Sequence, residues 1–347
     1  MKIASSLSFD DVLLLPQYSS IVSRSEVDIS NSLSEECRFD IPVISSPMDT
    51  ITEEKMATAM SSLGGLGVVH RYNTIDEQVN IMRKIKDKNP SSPTAAAIGI
   101  SGDYLERAAE LVNNGGVSIL CLDVAHGHHV LMREALHKIK RSFGEEIHIM
   151  AGNVATRIAF EDLANWGADS IRVGIGGGSI CSTRIQTGHG VPTFQSVSDC
   201  YYANTDRDVK LIADGGIKTS GDIVKALAAG ADFVMVGSLL AGTTETPGTV
   251  YHGNNPSMRP YKKYRGMASA EAQRSWRGRT SSLEGVSVTV PFVGGVDRVI
   301  NELVVGIRSG LSYSGSRDIL ELQSNAEFIT QTSAGLMESR THIKYRD

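Results

Sequence analysis

Residues 170–184 read Ser170-Ile171-Arg172-Val173-Gly174-Ile175-Gly176-Gly177-Gly178-Ser179-Ile180-Cys181-Ser182-Thr183-Arg184. The first four residues form a short, largely apolar run, the pattern of a buried strand. Glycine then occupies positions 174, 176, 177 and 178. Such a loop turns sharply and lets the backbone approach a ligand closely. It also aims N–H groups at an anion, and Ser179 adds a hydroxyl. Cys181 sits on the same loop, where a positive local potential favours a thiolate nucleophile. On the residues alone a second reading stands beside this one: a glycine-rich turn carrying an incidental small cysteine.

The same alternation of apolar run and polar loop recurs along the chain. Eight runs read as strands: Ile41–Ser46, Leu66–His70, Ala95–Ile100, Ile119–Ala125, Ile147–Val154, Ser170–Gly174, Lys210–Asp214 and Phe233–Gly237. Between most of them lie segments with apolar residues three and four apart, the helical spacing. Examples are Glu54–Leu63, Ile75–Lys86, Tyr104–Asn113, His129–Phe143, Ala159–Trp166 and Gly221–Ala229. Glycines at 64, 115, 144, 167 and 230 supply the expected stops. Eight strand–helix repeats predict an α/β fold, a (β/α)8 TIM barrel, rather than an open doubly wound sheet. The open sheet would call for an early G-x-G-x-x-G turn that this chain does not show.

A barrel gathers function at the C-terminal ends of its strands. Here those ends carry Ser46-Pro47-Met48-Asp49, His70-Arg71, Asp123-Val124-Ala125-His126, Gly152-Asn153, Gly174 to Thr183, Asp214-Gly215-Gly216 and Gly237-Ser238. Strand ends are polar in any barrel, but seven such ends suit a mouth for phosphate and ribose. Asp214 is either a diol acceptor or the cap of a turn. His126 and His128 lack the spacing of a helical metal-ligand pair and are read as hydrogen-bonding groups.

The bulk numbers exclude several classes. A net charge of −5 gives no footprint for nucleic acid or an anionic membrane. No apolar run approaches the roughly 20 residues of a membrane span. The four cysteines, Cys37, Cys121, Cys181 and Cys200, form no C-x-x-C pair. Few cysteines and no signal-peptide pattern lead to the expectation of a cytoplasmic protein. After the last strand, residues 243–293 read as an insert over the barrel mouth, a hairpin (Thr249–Tyr251 with Arg259–Tyr264) followed by a mobile flap. Arg274, Arg277 and Arg279 in it are either a solvated face or part of the site. Val296–Gly310 reads as the closing helix, followed by an extended tail.

The loop from Gly174 to Arg184 resembles the catalytic-loop signature of the IMP dehydrogenase / GMP reductase family. The resemblance runs from Phe9-Asp10-Asp11-Val12-Leu13-Leu14 to Ser333-Ala334-Gly335-Leu336. It implies a purine mononucleotide with C2 beside Cys181, a covalent thioimidate on that sulfur, and hydride exchange with a nicotinamide dinucleotide. It implies phosphate contacts at Ser179, Gly216, Gly237, Ser238 and Tyr264, and ribose at Asp214. Ser46 and Met48 match residues lining the nucleoside; Gly266, Met267 and Glu284 match residues near the base. Asp123, Asn153, Arg172 and Gly174 match the dinucleotide side, and Thr183 a residue that handles a proton. A monovalent cation, potassium, on the carbonyls of Gly176, Gly178 and Cys181 and a homotetramer are further implications. Many family dehydrogenases carry a pair of regulatory CBS modules between strands two and three. The connector Lys86–Pro93 has no room for them, so residues 1–347 are expected to form one catalytic domain.

Two reactions share this covalent stage, and the expectation here is NADPH-dependent reduction of GMP to IMP and ammonia. Oxidation of IMP with NAD ends in hydrolysis, for which the family uses an Arg-Tyr pair on a long flap. Between Gly266 and Glu284 this chain has no Arg-Tyr; Arg71-Tyr72 lies after strand two, away from the flap. Thr183 and Glu284 are both present for ammonia release. The alternative is an IMP dehydrogenase without CBS modules, which the framework around Ser46-Pro47-Met48-Asp49 and Tyr264-Arg265-Gly266-Met267 resembles. A purine nucleotide-binding barrel without turnover is a third reading.

Overall fold

In a computed structural model the described residues are 3–204, 209–253, 259–280 and 283–339. Eight parallel strands close on themselves: β1 (Val43–Ser45), β2 (Leu66–Val69), β3 (Ala95–Ile98), β4 (Ile119–Asp123), β5 (His148–Val154), β6 (Ser170–Val173), β7 (Lys210–Asp214) and β8 (Phe233–Val236). Closure is made by β8 against β1, where Val236 pairs with Ser45. All eight expected strands are present, each within the range read from sequence.

The strands read as continuous apolar runs because both of their faces are buried. On β3, Ala95 and Ala97 point into the barrel while Ala96 and Ile98 face the helices; on β4, Ile119 and Cys121 point in while Leu120 and Leu122 face out. A hairpin before β1 (Asn31–Ser34 with Cys37–Phe39) adds Leu33, Cys37 and Phe39 to the interior cluster. Phe39 meets Phe233 of β8 edge-on at 5.8 Å. Helices α1 (Glu54–Ser62), α2 (Ile75–Lys88), α3 (Tyr104–Asn113), α4 (Val130–Phe143), α5 (Arg157–Asn165), α6 (Thr193–Ala203), α7 (Ser220–Ala228) and α8 (Val296–Tyr313) form the outer ring. Their starts are written in the sequence: Thr74 with Glu77 and Thr219 with Asp222 make reciprocal caps that satisfy the first free N–H groups of α2 and α7.

Two expectations need revision, and one helix is not among the examples read from the sequence: α6, whose buried residues include Thr193, Ser196 and Cys200 as well as Phe194 and Val197. The expected hairpin of Thr249–Tyr251 on Arg259–Tyr264 is met at one antiparallel bridge, Tyr251 with Tyr261, and its connection at 254–258 lies outside the described residues. The longer ladder of the insert is β9 (Tyr261–Arg265) against β10 (Ser287–Pro291), across a helix at Ala270–Arg277. Burial drives this pairing: Lys262 and Tyr264 alternate inward on β9, and Lys262 Nζ donates to the carbonyls of Thr243 and Thr246. The tail is not simply extended: Phe328–Thr330 pairs with Val12–Leu14, and Ile319–Asn325 and Ser333–Glu338 are helical.

One buried group makes the barrel pH-sensitive. His148 at the start of β5 is 7% exposed, with Nε2 2.8 Å from Ser170 Oγ. Burial pushes its pKa from 6.5 down to about 4. Between those values the unfolded chain holds a proton that the folded barrel does not. The contribution is therefore complete above about pH 6.5 and is lost as pH falls toward 4, roughly 3 kcal/mol over the whole window. Urea unfolding should show about 2 kcal/mol lost from this group between pH 7 and pH 5. His148→Gln should flatten that part of the profile, and an equally steep loss in the variant would refute the assignment.

Candidate active site

The residues that the resemblance assigns to the site come from the ends of separate strands and from the insert, and the barrel brings them to one cleft of about 390 Å³; Asp49, His70, His126, His128, Arg274 and Arg279 do not line it. Gly174 ends β6, and its backbone passes so close to β7 that a Cβ there would lie 1.9 Å from the Asp214 carbonyl oxygen. With φ at +148°, the position accepts glycine alone. This close approach sets the loop from Ile175 to Cys181 over the ends of β6 and β7.

At one end of the cleft, the N–H groups of Ser179, Gly216, Gly237 and Ser238 have no protein acceptor among the described residues. Unpaired N–H groups are costly unless water or a ligand takes them, and four at one end make an anion-binding nest. Tyr264 closes this end: its side chain is buried, its hydroxyl is 3.5 Å from Ser179 Oγ, and burial raises its pKa, so it stays a donor. A side chain at Gly237 would meet the Tyr264 hydroxyl at 3.1 Å and Met48 Sδ at 3.2 Å.

The cleft floor is a charged network. Arg172 of β6 is 5% exposed; its guanidinium donates to Asp123 Oδ1 at 2.6 Å and to Asp214 Oδ2 at 2.8 and 3.2 Å. Asn153 Nδ2 adds a third bond to Asp214 Oδ2 at 2.9 Å. Asp214 therefore caps no turn. It is held by three donors on one oxygen, and Oδ1 takes none among the described residues. That leaves an acceptor available for a sugar diol. Arg172 spends its donors on the two carboxylates and is a spacer between them more than a surface for a ligand. His128 pairs with Asp162 at 2.7 Å and stacks on Trp166, matching the hydrogen-bonding reading of that histidine.

Cys181 faces the cleft from the other side, half-buried, while Cys37, Cys121 and Cys200 are buried. Its Sγ lies 3.2 Å from Thr183 Oγ1, which donates to Glu284 Oε2 at 2.8 Å. Glu284 belongs to the insert, 101 residues after Thr183. The backbone fixes the meeting: Cys181 bridges Gly285, Ser182 N donates to the Glu284 carbonyl at 3.0 Å, and Val286 N donates to Ile180. A thiol, a hydroxyl and a carboxylate thus stand in line, an arrangement able to carry a proton away from or toward an atom bonded to the sulfur. The Gly178 carbonyl accepts the Cys181 N–H at 3.1 Å, so the loop carbonyls are turned by the same bend.

Sequence reasoning set aside Arg71 and Tyr72, yet both line the cleft. The end of β2 lies across the barrel mouth from Cys181, and a dipeptide remote in sequence from the insert is near it in space. The signal was present in the strand end His70-Arg71. Arg277 and Gln273 of the insert helix line the same cleft.

A closed barrel with a cysteine on a glycine loop, a group of unpaired N–H donors and an open carboxylate oxygen at its mouth is the class of site defined here. The comparisons with known proteins show the family. Residues 6–342 match the model of the IMP dehydrogenase / GMP reductase domain. An inosine-5′-monophosphate dehydrogenase of Nitrosopumilus maritimus is 33% identical over 99% of both chains, and one of Cryptosporidium parvum is 37% identical over 98% of this chain and 96% of its own. The crystal structure of a GMP reductase from Trypanosoma brucei, a cysteine-to-alanine variant in complex with guanosine 5′-monophosphate, superposes with a TM-score of 0.92 at 30% identity, covering 99% of both chains. The chain belongs to the IMP dehydrogenase / GMP reductase family, whose members are purine nucleotide oxidoreductases that use a nicotinamide dinucleotide. It carries no CBS insert, and no helix among the described residues is long and apolar enough to cross a membrane.

Proposed function

We propose that this protein is a GMP reductase, converting GMP to IMP and ammonia with NADPH. The observation that carries the reading is the line Cys181–Thr183–Glu284, which ends on a carboxylate supplied by an insert without an Arg-Tyr pair. The GMP phosphate takes the unpaired N–H groups at Ser179, Gly216, Gly237 and Ser238, and the ribose diol takes Asp214 Oδ1. Met48, Gly266 and Met267 enclose the base. Cys181 adds its sulfur to C2, forming the C–S bond; the exocyclic amine leaves as ammonia after protonation through Thr183 and Glu284. The dinucleotide supplies a hydride equivalent to C2 when bound. Cys181 then departs as thiolate, and the C–S bond breaks to give IMP.

The residues present fit a dinucleotide beside the nucleotide. The cleft continues from Cys181 past Gly174, Asn153 and Asp123 to Arg71 and Arg277, two cations suited to its phosphates. Potassium on the carbonyls of Gly176, Gly178 and Cys181, a homotetramer and a cytoplasmic location belong to the same reading.

IMP dehydrogenase is the second reading, favoured by the names of the curated relatives and by Arg71-Tyr72 on the cleft wall. Water activation needs a base, and Tyr72 is committed as a hydrogen-bond donor instead. Burial raises its pKa, and its hydroxyl donates to the Met267 carbonyl at 3.0 Å. The test is paired: GMP with NADPH, and IMP with NAD and potassium, each followed through the absorbance of the reduced dinucleotide. Consumption of NADPH with release of ammonia in the first is the expected result; NADH formation in the second alone overturns it. Glu284→Gln should lower GMP turnover about 10²- to 10³-fold with GMP affinity little changed.

A further inference from the structure

Tyr72 has a place in this site that the proposed chemistry does not use. Tyr72 is held from its own strand end: its N–H donates to Nδ1 of the buried His70 at 3.1 Å. Its ring stacks on Trp276 of the insert helix, with centroids 5.8 Å apart and planes 13° from parallel. Its hydroxyl donates to the Met267 carbonyl at 3.0 Å, and the Arg71 guanidinium lies 5.5 Å from the ring centroid. Two different attachments thus run from one barrel residue to the insert, one to the turn before its helix and one to the last turn of the helix.

That turn leads directly to the catalytic carboxylate. Ser269, which caps the helix, bridges Gly285, the neighbour of Glu284, and Gly266 N donates to the Val286 carbonyl. Fixing Met267 and Trp276 on the barrel therefore fixes the segment that presents Glu284 to Thr183. We infer that Tyr72 is a positioning residue: it latches the insert onto the end of β2, and through Met267 and Gly285 it holds Glu284 against Thr183. The Arg-Tyr pair serves as a clasp for the insert rather than as a base. The rise in the Tyr72 pKa agrees, since a clasp that donates must stay protonated. The inference rests on the proposed reaction only for the turnover that is measured.

Two independent measurements test it on the full chain. Arg274, Arg277 and Arg279 of the insert are exposed, so tryptic cleavage mapped to those three sites reads the released population. Tyr72→Phe keeps the stack and loses the hydrogen bond; cleavage should rise about 5-fold. Tyr72→Leu loses both, and cleavage should rise a further roughly 3- to 10-fold. Across the series kcat with GMP and NADPH should fall while the KM for GMP stays within about 2-fold, because the phosphate and ribose contacts are untouched. Trp276→Phe preserves an aromatic partner and should stay near the wild type in both readouts. Unchanged cleavage in both Tyr72 variants overturns the latch. Raised cleavage with unchanged kcat overturns the positioning role. A wild type that turns over only IMP and NAD defeats the reductase reading but leaves the cleavage test intact.

Discussion

Cys181→Ala is expected to abolish turnover, lowering kcat on the order of 10⁴-fold or more, while GMP binding stays within about 3-fold. The asymmetry follows from where binding and chemistry reside. The N–H groups at Gly216, Gly237 and Ser238 lie on other loops, that of Ser179 is a backbone group, and the carboxylate of Asp214 is held by Arg172 and Asn153, so none of them depends on the thiol. The covalent step depends on nothing else: Cys121 is fully buried in the barrel with its pKa raised to about 12, and Cys37 and Cys200 are buried too. No other thiol lines the cleft. Alkylation of the native protein should mark Cys181 and be blocked by GMP. If Cys181→Ala retains activity within about 10-fold, the thioimidate route is wrong, whichever direction the reaction runs.

Arg172→Met should cost about 3–5 kcal/mol of stability and weaken nucleotide binding at the same time. The side chain is of similar length, so the loss is not one of packing. It leaves Asp123 and Asp214 facing each other with only Asn153 and the longer 3.6 Å contact from Arg71 to offset them. Removing one partner from a buried pair costs more than the pair contributes, because the remaining charges stay desolvated. Asp214 Oδ1 would also lose the orientation that leaves it open to the cleft. Urea unfolding and GMP titration read the two effects separately. A loss under about 1 kcal/mol would mean that water already screens this network, contrary to its burial.

The two expectations draw on different levels of the molecule. Cys181 was a candidate in the loop itself, because a thiol among glycines is a local pattern, but the loop alone left an incidental cysteine as an equal reading and the resemblance supplied the role. The resemblance placed Arg172 on the dinucleotide side, and the structure holds it between two carboxylates on the cleft floor. No local pattern carries that, since Asp123 and Asp214 lie 49 and 42 residues away.

What the sequence determined by itself was the barrel and the cast of the site. A strand buried on both faces must be written as an apolar run, and a helix on a barrel as an amphipathic one, so eight repeats were visible without any long-range information. Loops that bind phosphate need glycine, and those residues were visible for the same local reason. Only the tertiary structure decided who meets whom. It paired β9 with β10 across the insert helix, delivered Glu284 to Thr183, and brought Tyr72 from the far side of the mouth to Trp276. The last two of these contacts join segments about 100 to 200 residues apart. Their energy comes from closing the barrel and burying Tyr264 of the insert against its core, and a linear pattern does not encode which surfaces close on each other.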